Sequence, residues 1–183
     1  MARCDTLAMT GPEATAIPMA MSTASAPEGV GYSLLLVSHV LAAVVGFGAL
    51  VLTGAQAARA RRGPGRPGAA GVQRYFRPGV NWPGRALYAV PVLGFALVGA
   101  SAGAFHAGQG FVVIGLGLWA LSTVVAEVVV WPGERRIQAM VSERWKEATA
   151  GGELAREARR VAAASVVLSV VCIAGLVVMV AKP

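Results

Sequence analysis

The chain has 183 residues, 56% of them hydrophobic and only 14% charged, and its mean hydropathy is +0.63. A soluble domain carries roughly a quarter charged residues, so this composition excludes an ordinary water-soluble fold. Its +7 net charge raises nucleic acid as a partner, but the placement of the cations, described below, removes that reading.

Residues 1–30 are rich in Ala, Thr, Ser, Met and Pro and show no hydrophobic period. They read as a disordered tail ahead of a single four-span domain over 31–183. No basic start followed by an apolar core and a cleavage site marks a signal peptide, and Met21 is a second candidate start. The first charge-free run, Tyr32 to Ala58, is long enough to cross a hydrocarbon core, which needs about 20 apolar residues. Arg59 to Gly84 follows, containing Arg-Arg-Gly-Pro-Gly-Arg-Pro-Gly at 61–68. Proline and glycine at that density stop a helix, which predicts an irregular loop. Tyr75, Phe76 and Trp82 are candidates to anchor it at headgroup level.

The second span is expected over Ala86 to Phe105, kinked at Pro91, and the third over Phe111 to Trp131. Beyond Pro132-Gly133, the residues Ile137, Met140, Val141, Trp145 and Ala148 recur with helical period. They predict an amphipathic helix over 134–148, separate from span three and ended by Gly151-Gly152. Such a helix either lies along the membrane surface or packs on the basic loop. Glu134 and Gln138 fall off its apolar face. Val161 to Ala181 forms the fourth span.

Seven cations lie between spans one and two: Arg59, Arg61, Arg62, Arg66, Arg74, Arg77 and Arg85. Seven more lie between spans three and four: Arg135, Arg136, Arg144, Lys146, Arg156, Arg159 and Arg160. Only Arg3 and Lys182 lie elsewhere. By the positive-inside rule, both long loops are expected in the cytoplasm and both termini outside it, in a multi-pass plasma-membrane protein. Tyr32, Phe105 and Phe111 fall at the outer interface and Trp82, Tyr88 and Trp131 at the inner one; Trp119 is mid-span. Gly46, Gly48, Gly99, Gly103, Gly115 and Gly117 are positions where helices can approach closely. The expected architecture is an all-α integral membrane four-helix bundle.

An ionisable group within a span is a candidate site. His39 lies about 10 Å below the outer surface by helical rise, and His106 at the outer end of span two. Glu127 lies near the opposite surface, at the depth expected of Arg85, with which it is a candidate ion pair. Two histidines at different depths suit shared haem or copper ligation poorly. The expectation for His39 is that it faces the bundle and bonds a hydroxyl or carbonyl, with Ser101 in reach by depth. Cys4 sits in a polar tail and Cys172 deep in an apolar span, which argues against a disulfide; Cys172 reads as a small apolar filler.

The run His39-Val-Leu-Ala-Ala-Val-Val-Gly-Phe-Gly-Ala-Leu resembles the first helix of small bacterial membrane proteins. These include copper-resistance D-like domains, HemJ-type haem-pathway proteins and predicted integral membrane proteins. His39, Leu41, Ala42, Ala43 and Gly48 fit; Gly46 stands where Trp is usual and Ala49 replaces a second Gly. Trp131-Pro132-x-x-Arg135-Arg136 resembles the end of span three in the last group. The resemblance implies a haem or metal site at His39. Heavy use of Ala, Gly, Val and Arg points to a GC-rich, actinobacterial type of genome.

Three functions follow as expectations. The first is a non-enzymatic accessory or assembly partner in a membrane complex, bound to the lipid bilayer and to other subunits or to itself. The second is a haem- or metal-handling redox protein using His39. The third is a small transporter with Glu127 as the coupling residue. The sequence presents no catalytic constellation.

Overall fold

A computed structural model describes residues 29–63, 67–144 and 151–181. Its elements are α1 (Val30–Ala60), α2 (Ala69–Tyr75), α3 (Trp82–Arg85), a 3-10 turn (Ala86–Tyr88) and α4 (Ala89–Ala100). They are followed by α5 (Gly110–Val125), a π-helical segment (Ala126–Val130), α6 (Trp131–Arg144) and α7 (Gly151–Ala181). Four helical stretches, Val30–Ala60, Trp82–Ala100, Gly110–Glu143 and Gly152–Ala181, are long and apolar enough to cross a membrane. Within their most apolar windows only 11–17% of residues are buried. The remaining apolar side chains face outward, which suits lipid and not water. The chain is therefore an all-α, polytopic membrane protein, with four candidate spans among the described residues.

Local chemistry explains where the spans begin and bend. Span two starts at Trp82, four residues ahead of the expected Ala86, because Asn81 caps it. The Asn81 side chain accepts the Gly84 N–H at 3.4 Å, with Pro83 in the first turn. The span ends at Ala100 instead of Phe105. There the Ser101 hydroxyl donates to the Val98 carbonyl at 2.7 Å and accepts the Phe105 N–H at 3.1 Å, which closes a turn. Pro91 has no N–H to give the carbonyl four residues earlier, that of Leu87. Trp119 of α5 supplies the missing donor, its indole N–H reaching the Leu87 carbonyl at 2.9 Å. Mid-span Trp119 thus closes a helix defect on its neighbour.

Pro132 and Gly133 do not separate α6 from span three. The helix runs from Gly110 to Arg144, carried past Pro132 by the π segment Ala126–Val130. A proline ring collides with the carbonyl four residues back in a regular α-helix. Here that carbonyl belongs to Val128, inside the wider π turn, where the crowding is relieved. The expected separate helix is corrected accordingly. At about 1.5 Å per residue the 34-residue stretch Gly110–Glu143 exceeds a hydrocarbon core of about 30 Å. Its segment beyond Trp131 therefore lies outside the core. Gly151 and Gly152 also do not end a helix; α7 begins at Gly151. Trp145 and Ala148 lie outside the described residues.

Helix α1 packs most extensively on α7 and also on α4, while α5 packs on α7. Its tightest contact with α7 is at Gly54, where an added Cβ would lie 2.2 Å from Ser165 Cβ. The Ser165 hydroxyl donates to the Leu50 carbonyl at 2.9 Å across the same contact. A Cβ added at Gly46 would lie 2.7 Å from the Leu87 nitrogen, and one at Gly115 would meet the end of Met179, as small-residue contacts require. A Cβ added at Gly48, Gly99, Gly103 or Gly117 would meet nothing within 4 Å, so those four glycines make no close helix contact among the described residues.

The best-buried part of the molecule is its arginine-rich end. Val72, Phe76, Ile137, Val141, Leu154 and Ala158 are at most 5% exposed and form one cluster with Ala57, Ala60 and Val161. The first loop is thus not wholly irregular: α2 lies within it and buries Val72. Phe76, expected as a headgroup anchor, is buried in the cluster, while Trp82 is 74% exposed. Helix α6 packs on this loop and on α7, and Gln138 Nε2 donates to the Gly79 carbonyl at 3.3 Å. An Arg136–Glu157 ion pair at 3.2 Å ties α6 to α7. Of the two arrangements expected for the helix, packing on the basic loop is the one observed.

Candidate functional site at the arginine-rich end

Polar side chains from four segments meet where span two begins and span three ends. Arg85 stands at the centre. Its guanidinium carbon lies 3.6 Å from the centroid of the Trp131 ring, and its Nη1 lies 3.7 Å from Glu127 Oε1. The Tyr88 hydroxyl donates to the same Glu127 oxygen, and the Tyr88 ring packs at 5.7 Å on Trp131. Glu127 and Trp131 are four positions apart and reach the same partners. The expected Arg85–Glu127 pair is present, with the two side chains 24% and 49% exposed. Trp131 is buried under Arg85 at 3% exposure.

Behind this pair Asn81 joins two networks. Its Nδ2 donates to the Thr53 hydroxyl at 3.2 Å and to the Tyr75 hydroxyl at 3.3 Å, and those hydroxyls share a bond of 2.7 Å. Thr53 is fully buried in α1 and also donates to the Ala49 carbonyl at 3.0 Å. On its other side Asn81 borders a recess of about 20 Å³, lined also by Arg85, Trp131, Glu134, Arg135 and Gln138. That volume admits one oxygen-sized group.

Two groups in the recess wall are costly where they stand. Glu134 is 5% exposed. Burial pushes its carboxyl above the ordinary range, while Asn81 and the charges of Arg85 and Arg135 pull it back down. The Trp131 indole N–H has no hydrogen-bond partner among the described residues. It turns toward Gly84, where an added Cβ would lie 3.5 Å from Nε1, and so toward Asn81 beside it. A buried donor left unpaired costs about 1–3 kcal/mol.

The histidines lie elsewhere and apart. His39 faces the bundle as expected, against α4, but its partner is not Ser101: Nδ1 lies 3.0 Å from the Val90 carbonyl. A carbonyl only accepts, so Nδ1 is the donor of this bond. Gly94 makes room for the ring, since a Cβ there would lie 3.3 Å from His39 Cε1. His106 is exposed in the turn between α4 and α5. Among the described residues no three His, Cys, Asp or Glu side chains gather in a metal-binding cluster.

Comparison with protein-family models, with curated proteins and with solved structures returned no match to this chain. The site must therefore be read from its own geometry. Sequence reasoning found Arg85 and Glu127 from depth and charge. It missed Thr53, Tyr75, Asn81, Glu134 and Gln138, which come together only when the first loop folds back on α6. The Asn81-Trp-Pro-Gly sequence was the available signal, because Asn before an early proline marks a helix start and hence an ordered approach to span two.

Proposed function

We propose that the chain is a membrane-embedded accessory or assembly subunit, which works through its outward helix faces and its packed arginine-rich end. One observation carries this reading. The membrane-level ionisable groups are bound by the chain itself, His39 by the Val90 carbonyl and Glu127 by Tyr88 and Arg85. The outward faces of all four spans are apolar and thus suited to lipid or to a partner's helices. In this proposal the protein sits in the plasma membrane of a bacterium with both arginine-rich connections in the cytoplasm, an orientation supported by charge placement. Purification of the full chain from its native membranes in mild detergent tests the role. The expected result is a fixed-stoichiometry assembly, with other subunits or further copies, larger than the 18.7 kDa chain with its detergent. A monodisperse single chain would contradict it.

A second reading, haem or metal handling at His39, draws on the resemblance in helix one and on one geometric detail. The Nδ1–Val90 bond fixes the imidazole in the tautomer that ligating histidines use, with Nε2 free to bind. An absorption spectrum and metal assay of the purified protein test this. A Soret band or stoichiometric copper lost in His39→Ala would favour the redox reading. A colourless, metal-free protein that His39→Ala destabilises by about 0.5–1.5 kcal/mol would favour the structural one.

A further inference from the structure

We propose that the loop over residues 76–81 is a pH-gated strap, closed while Glu134 beneath it carries a proton and opened when that carboxyl gives the proton up to water. The inference goes beyond the accessory role and does not depend on it. Three observations carry it, of which the first is the carboxyl itself. Glu134 is 5% exposed and forms no ion pair among the described residues. A buried carboxylate without a paired charge is costly, while the neutral acid is far less so. The closed strap therefore favours the protonated form.

The second observation is what faces the carboxyl. Arg85 comes from α3, but it is stacked on Trp131 and directed at Glu127. Arg135 comes from α6 itself and is exposed. Burial opposes a negative charge at Glu134 more strongly than these two cations favour it. The loop presents the Asn81 amide and α2 the Tyr75 phenol, with the Thr53 hydroxyl of α1 bonded to both. Across Gly133, α7 presents Glu157, which is paired with Arg136.

The third observation is how lightly the strap is fastened. Arg77, Pro78, Gly79 and Val80 are exposed. Gln138 holds the Gly79 carbonyl at 3.3 Å, and Asn81 bonds Thr53 at 3.2 Å, Tyr75 at 3.3 Å and the Gly84 N–H at 3.4 Å. All four bonds lie at or past the long end of the usual range of about 2.7–3.2 Å. The two ends of the strap are firm, because Phe76 is buried and α3 follows Asn81. The strap can thus open locally while the cluster below stays packed. The recess of about 20 Å³ between residues 79–81 and α6 has room for one water to take the proton. Opening uncovers Glu134 and Gln138, so the surface of the arginine-rich end changes with the pH around it.

Backbone amide exchange of the full chain in detergent tests this, followed from about pH 5 to about pH 8 and corrected for intrinsic rates. Trp82 and Gly84 report the strap, since their N–H groups bond the Val80 carbonyl and the Asn81 side chain. Their protection should fall with rising pH, by up to about tenfold per unit because one proton is released. Residues 161–168 of α7 should keep theirs. Glu134→Gln should make the strap's protection independent of pH, and Glu143→Gln, exposed on the same helix, should leave the fall intact. A flat profile in the unaltered chain overturns the proposal whether or not the variant folds. An equal fall in residues 161–168, or a fall that survives Glu134→Gln, would overturn it as well. Protection that rises with pH would assign the closed strap to the ionised carboxyl and also overturn it.

Discussion

Glu134 shows how one residue departs from its sequence pattern. Helical periodicity puts it off the apolar face of α6, where a carboxylate would be solvated. The first loop folds over it, and only 5% of it stays exposed. Because burial raises its carboxyl, the folded chain holds that proton at pH values where the unfolded chain has already released it. Stability should therefore fall as pH rises from the ordinary carboxylate range through the raised value. Glu134→Gln should flatten that slope, as read from chemical denaturation at a series of pH values. A slope unchanged by the substitution would show that Glu134 is not its source. His39 is the opposite case, since its inward direction was legible. An imidazole facing hydrocarbon has no partner, and Ala42, Ala43 and Gly46 extend its face. Its partner was not legible, because the choice between the Ser101 hydroxyl and a backbone carbonyl depends on where span two ends and on the space at Gly94.

At the scale of elements, the four apolar runs match the four candidate spans among the described residues, since length and hydropathy decide what can span a membrane. Helix ends and breaks were less legible, because they depend on groups that neighbours supply. Pro91 and Pro132 both look like breaks. One is answered by Trp119 from another helix and the other by a π turn in its own. If Trp119 bonds the Leu87 carbonyl because Pro91 denies it the regular helical N–H, the two residues are coupled. Trp119→Phe should cost about 1 kcal/mol in the unaltered chain. It should cost distinctly less in a Pro91→Ala background, where the helix N–H takes the carbonyl. Equal costs in both backgrounds would show no coupling. Glycines separate in the same way. Gly54→Ala must push α7 away from Ser165 and should destabilise by about 1–3 kcal/mol. Gly48→Ala has open space and should be neutral or slightly stabilising through helix propensity. The sequence marked Gly48 and not Gly54 because glycine spacing alone does not say which face meets a neighbour.

At the scale of the whole molecule, the described parts of the two arginine-rich connections form one packed structure. The end of α1, the start of span two, α6 and the first turns of α7 share a buried cluster, so all four must lie on the same side of the bilayer. Charge asymmetry grouped the two connections, but did not tell that they would be the best-packed part of the described residues, because the periodic apolar residues of α6 suit membrane and protein partners alike. Substituted-cysteine labelling in membranes tests the arrangement most directly. In a background with Cys4→Ser and Cys172→Ser, single cysteines at Ala70→Cys, Glu153→Cys and Gly108→Cys report three exposed positions. The account predicts that an impermeant thiol reagent added to intact cells labels Gly108→Cys alone, and that Ala70→Cys and Glu153→Cys react only after the membrane is opened. Labelling of Gly108→Cys together with either of the others in intact cells would contradict it.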